Sequence, residues 1–134
     1  MNPIEILKTL GEMGLMYKES EIDDAILYCA NMLKDERIIT INKDGEIYAV
    51  MFFSITDSAD EFLIKKTWEY RPHHPEGRVI YVEKIVSKGW DKELRSILER
   101  VARTKHPQIE YGIWHKWAKW GDRMVITKRR LLNV

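Results

Sequence analysis

The chain has 134 residues, 45% hydrophobic and 32% charged, with a net charge of +1. This composition excludes a disordered chain, and a single cysteine, Cys29, excludes an internal disulfide and a cysteine-cluster zinc site. No run approaches the ~20 apolar residues of a membrane span. The first residues, Met1-Asn2-Pro3-Ile4, lack the basic start and apolar run of a secretory leader. One cytoplasmic domain over residues 1–134, without membrane contact, is therefore expected. The small net charge covers an asymmetry. Residues 1–64 hold 5 Lys/Arg against 13 Asp/Glu, and residues 65–134 hold 17 against 8. Either the halves neutralise each other on folding, or the basic half receives an anion such as a cofactor or nucleic-acid phosphate.

Residues 3–13 have a short helical pattern, with Pro3 suited to a first turn and Gly11 and Gly14 to an end. Ser20, with Asp23 three residues later, resembles a capping box and opens a second helix. Ile22, Ile26, Cys29, Ala30 and Leu33 share one face of it. On that stripe Cys29 reads as a small core residue rather than a catalytic thiol. Residues 37–42 and 46–55 form a hairpin about Lys43-Asp44-Gly45, where glycine accommodates positive φ. The apolar run from Tyr48 to Phe53 suits an interior strand. After a polar break at 56–60, residues 62–70 read equally as a strand or a short helix. Residues 71–77 are a loop holding His73, His74 and two prolines.

Residues 78–87 are a strong strand, broken by Lys88-Gly89. Residues 91–105 are a helix with Leu94, Ile97, Leu98, Val101 and Ala102 on one stripe, ended by Pro107. His106, at the helix end, is placed where a cation suits the dipole. Strands at 109–114 and 124–131 close the chain. The class is α+β, with a mixed, mostly antiparallel sheet flanked by helices. The 78–87 and 109–114 strands should be parallel, joined by a right-handed crossover.

Two segments carry a family likeness. The run Gly45-Glu46-Ile47-Tyr48-Ala49-Val50-Met51-Phe52-Phe53-Ser54 is placed like a third strand. Tyr81-Val82-Glu83-Lys84-Ile85-Val86-Ser87, followed by the helix from Asp91, is placed like a fourth strand and a cofactor-binding helix. In this order the chain resembles the GNAT superfamily of N-acyltransferases over roughly residues 20–131. The resemblance implies transfer of an acyl group from acetyl-CoA or another acyl-CoA to an amine, with no metal and no covalent enzyme intermediate. It implies Glu83 as base or water-orienter. The backbone of Ile85 and Val86 would face the pantetheine arm. Lys88, Gly89, Lys92 and the helix start would receive the phosphates. His115 would lie near the leaving thiolate, as a second acid/base candidate.

The sequence departs from the family pattern in the cofactor loop. Ser87-Lys88-Gly89-Trp90-Asp91-Lys92 has one glycine where the family's Arg/Gln-x-x-Gly-x-Gly/Ala loop has two. Asp91 at the helix start would cap it and repel phosphate, with Lys88 and Lys92 partly compensating. The family's tyrosine acid has no clear counterpart, and Trp114-His115-Lys116-Trp117 stands in its place. The alternative is therefore a non-catalytic binding or structural protein, of phage or mobile-element type, on the same scaffold. A catalytic chain should show an open cleft between the 78–87 and 109–114 strands, and a binding module should show it closed by side chains.

A third reading is nucleic-acid binding through the basic C-terminal half. Trp114, Trp117 and Trp120 recur at helical spacing among Lys116, Lys119 and Arg123. The same tryptophans suit burial in a core or interface, and Lys128-Arg129-Arg130 suits protection of an edge strand. Glu83 likewise reads as a solvent-facing or salt-bridged strand residue beside Lys84. His73 and His74, adjacent in extended chain, do not share a face, so no metal site is expected from them.

Overall fold

The structure is a computed structural model that describes residues 1–15, 17–58, 60–63, 67–117 and 124–130, giving backbone alone for 61, 63, 114–117 and 124–130. The elements are α1 (Pro3–Glu12), a 3-10 turn (Glu19–Glu21), α2 (Ile22–Lys34), β1 (Ile38–Lys43), β2 (Glu46–Thr56), α3 (Asp60–Leu63), β3 (Val79–Ser87), α4 (Asp91–Lys105), β4 (Tyr111–Trp117) and β5 (Met124–Arg130). The strands lie in chain order in one sheet. Pairing is antiparallel throughout except for β3 and β4, which are parallel as the intervening helix requires. The α+β class and the mixed, mostly antiparallel sheet follow the sequence reading.

Local chemistry explains the starts and turns. Asn2 caps α1, its Oδ1 accepting from Glu5 N at 2.9 Å while the Glu5 carboxylate accepts from Asn2 N. The hairpin turn has positive φ at both Asp44 (52°) and Gly45 (80°), the two-residue geometry that matches strand twist. At α2 the expected Ser20 box is replaced. Ser20 lies inside the 3-10 turn, and Glu21 Oε1 instead accepts from Lys18 N at 2.8 Å. The buried face of α2 is Ala25, Tyr28, Cys29 and Met32, with Ile22, Ile26 and Leu33 only flanking it. The face turns because the large Tyr28 ring and the packing against α1 outweigh the aliphatic periodicity. Of the 62–70 segment that the sequence leaves undecided, residues 62 and 63 end α3, a single helical turn that starts in the expected polar break at Asp60.

The sheet separates two apolar layers, and alternation along β2 feeds both. Ala49, Met51, Phe53 and Ile55 join Leu94, Leu98 and Ala102 of α4. Val50 and Phe52 join Ile6, Leu7 and Leu10 of α1 and the buried face of α2. Cys29 is fully buried there, and burial pushes its thiol up to about 11, consistent with a core role. The 71–77 loop is tied to the end of β2, with His74 N donating to Ile55 O at 2.7 Å. A Cβ on Gly77 would stand 2.5 Å from the Thr56 carbonyl carbon, so only glycine permits this approach. Among the described residues no helix is long and apolar enough to cross a membrane.

Candidate functional site

β3 and β4 pair only over Val79–Tyr81 and Tyr111–Ile113. β3 runs on to Ser87 and β4 to Trp117, so beyond Tyr81 the strands part and the β4-facing edge of β3 leaves the ladder. On its other edge β3 carries a bulge. Phe52 pairs with Lys84 and Phe53 with Val82, which leaves Glu83 as the extra residue. The bulge shifts the phase of the strand. Ile80 and Val82 face α4, whereas Glu83 and Lys84 both reach towards α2.

Glu83 is the centre of a buried polar network. Its Oε2 lies 2.9 Å from Arg37 Nη2, and its Oε1 accepts from the Tyr28 hydroxyl at 2.9 Å. Ser54 Oγ bridges the same Oε2 and the Arg37 guanidinium. Arg37 is fully buried, and it also donates to Phe53 O at 3.0 Å and Arg71 O at 2.9 Å. Asp35, which accepts from Tyr70, lies 3.4 Å from Arg37 Nη1. Glu83 is thus a buried, salt-bridged strand residue with Arg37 as its ion partner, not a solvent-facing one. Tyr28 is held protonated well above its usual range, chiefly by burial and then by the Glu83 charge. Burial, with Glu83 second, likewise pushes Tyr81 up to about 12. Both phenols therefore remain hydrogen-bond donors at neutral pH.

The start of α4 meets the open end of β3. Gly89 takes φ +84°, Lys88 N donates to Tyr48 O at 3.0 Å, and Ser87 Oγ accepts from Trp90 N at 2.7 Å. Trp90 is the N-cap residue, and no side chain caps the helix. Asp91 is hence the first helical residue, not the cap that its residue type predicts. Lys43 lies over the Trp90 ring at 4.2 Å and Lys88 over Tyr48 at 5.8 Å, so two ammonium groups flank this turn. Asp91 and Glu93 lie in the same first turn.

The candidate residues fall into three places. Ile85 and Val86 lie on the β3 segment beyond the parting, paired on its other side with Met51 and Val50. Lys88, Gly89 and Lys92 surround the α4 start. Glu83 lies at the bulge, before Ile85 and Val86 on β3 and farther along the chain from the α4 start. His115 is inside β4, in register with Ile126, rather than after the strand; its side chain lies outside the described residues. Trp114 and Trp117 are also in β4, so helical spacing does not apply to them. Their side chains, Trp120 and the cations around them lie outside the described residues. Burial lowers the His106 imidazole from its ordinary value, against the cation that the helix end would suit. His73 is lowered to about 4, first by burial and then by Arg37. Among the described residues no group of His, Cys, Asp or Glu could hold a metal ion. Arg37, Ser54 and Tyr28 were not singled out in the sequence. The only signal was an arginine and a serine beside otherwise apolar strands.

No family model matches the sequence, and no curated protein matches it. Solved structures do. GphF, a GNAT-like decarboxylase in complex with isobutyryl-CoA, is similar with a TM-score of 0.62 at 13% identity, over 90% of this chain. This chain covers 66% of that protein's length. A Staphylococcus aureus MU50 protein described as a candidate acetyltransferase is similar with a TM-score of 0.53 at 13% identity, over 87% of this chain and 97% of the other. With the parted parallel strands and the helix that follows β3, these likenesses establish that the chain has a GNAT-type fold.

Proposed function

We propose that the chain binds an acyl-CoA thioester in the opening between β3 and β4 and transfers the acyl group to an amine. The parting of the strands after Tyr81 and Ile113 carries this reading, because it leaves β3 backbone groups unpaired by β4 beside the start of a long helix. Such groups suit an extended amide-containing arm, and orphan helix N–H groups suit phosphate. The thioester complex of GphF, on the same fold, supports a ligand of this class. In this reading the backbone of Ile85 and Val86 faces the pantetheine arm. Lys88, Gly89 and Lys92 take the phosphates, and acetyl-CoA is the simplest donor.

The amine nitrogen attacks the thioester carbonyl. The C–N bond forms, the C–S bond breaks, and coenzyme A leaves as a thiolate. Glu83 receives the amine's proton through the Tyr28 hydroxyl, which already donates to it. His115 returns a proton to the thiolate. Positioning of the two reactants supplies most of the rate. The test is release of free thiol from acetyl-CoA in the presence of butylamine or spermidine. Thiol release also distinguishes transfer from chemistry that leaves the thioester intact. Lys88→Ala should slow it by weakening binding, and Glu83→Gln should abolish it while acetyl-CoA still binds. No thiol release with any amine would remove the transfer step.

One observation favours the second reading, a non-catalytic binding protein. Both Glu83 oxygens are already hydrogen-bonded, as in a structural ion pair. In that reading acyl-CoA is not a ligand, and Glu83→Gln changes stability alone.

A further inference from the structure

Lys84 follows the bulge, and its half-buried side chain lays the ammonium against two aromatic rings. Nζ lies 4.8 Å from the centroid of Tyr28 and 4.9 Å from that of Trp68, and it donates to the Thr67 carbonyl. The two rings are 5.6 Å apart at 74°, and Tyr17 packs edge-on against Trp68. Both Tyr28 and Trp68 are buried. Two ring faces and a carbonyl are the recognition chemistry of an alkylammonium. The Tyr28 hydroxyl then leads to Glu83, whose negative charge offsets the cation.

We propose that the Tyr28–Trp68–Thr67 cage is a binding site for a primary alkylammonium, occupied in the unliganded chain by Lys84. The strand itself supplies a tethered stand-in for the ligand. Lys84 reaches the cage because the extra residue Glu83 turns both side chains to the α2 side. Its four-carbon stem is flexible, so an incoming ammonium can displace it without moving the strand. A tethered cation competes at an effective concentration in the millimolar range, so a monoamine binds the natural chain weakly. Where the chain transfers acyl groups, the cage receives the acceptor's ammonium one residue from the carboxylate at the bulge. That last step rests on the proposed function; the cage does not.

Removing Lys84 should vacate the site. We expect Lys84→Ala to bind n-butylammonium about tenfold more tightly than the natural chain, read from Trp68 indole resonances. Butanol, equal in shape and uncharged, should leave those resonances unmoved. Adding Trp68→Leu to Lys84→Ala should return the affinity to that of the natural chain. Should Lys84→Ala fold poorly, Lys84→Gln serves, since its shorter side chain leaves the ammonium position empty. Equal butylammonium affinity in the natural chain and whichever Lys84 variant folds, or an equal response to butanol, would overturn the proposal. No acyl-CoA is present, so failure here leaves the acyl-CoA reading intact, and failure of acyl-CoA to bind leaves the cage intact.

Discussion

Arg37 Nη2 lies 2.9 Å from Glu83 Oε2, with the two side chains 0% and 1% exposed. Each is the minority charge of its half, the arginine of the acidic half and the glutamate of the basic half. The pair thus joins the α2–β1 junction to the β3 bulge. A buried pair holds together because each ion is the solvation of the other, supplemented here by Ser54, Tyr28 and two backbone carbonyls.

Removing one ion strands the other. Arg37→Met or Glu83→Gln should each destabilise the fold by about 3–5 kcal/mol. The double variant Arg37→Met/Glu83→Gln should cost clearly less than the sum of the two. Urea unfolding of the three variants checks this, and strictly additive losses would show that the two groups do not depend on each other.

His73 makes stability depend on pH. Its folded value is lowered to about 4, by burial first and then by Arg37, with His106 and His74 adding and Asp35 opposing. The unfolded imidazole titrates near 6.5. Between these values the unfolded chain binds more protons, so stability rises with pH across that window and is lost as pH falls through it. Denaturation midpoints measured from pH 4 to 7 should fall on acidification. His73→Gln should flatten that slope.

Gly77→Ala should lower stability by about 1–3 kcal/mol, because the new methyl meets Thr56 backbone rather than a side chain that can move. The 71–77 loop must then lift from the end of β2. His73 becomes more exposed, and its NMR titration should move up towards 6.5. A stable Gly77→Ala chain with an unmoved His73 titration would contradict the close approach.

The patterned elements were legible in the sequence, and the site was legible only in part. α4 carried its own stripe from Leu94 to Ala102, and the β1–β2 turn carried Asp44-Gly45, so local periodicity sufficed. Glu83 stood out as a carboxylate interrupting an apolar strand. Its partner did not, because Arg37 is buried by groups at positions 53, 54, 71 and 83, and no local pattern encodes such contacts. The bulge is a register effect between β2 and β3, likewise invisible along one strand. Trp114 and Trp117 read as helical by spacing, but pairing of β4 with β5 decides their backbone.

The central claim is that this GNAT-type fold holds an acyl-CoA between β3 and β4. Thermal unfolding with and without millimolar acetyl-CoA, with desulfo-CoA as a control, tests it most directly. A ligand at about 100 times its Kd should stabilise the chain by roughly 2.7 kcal/mol, a rise of several degrees in Tm. Both ligands should produce the rise, and Lys88→Ala should diminish it. An unchanged Tm with both ligands at millimolar concentration would contradict the claim.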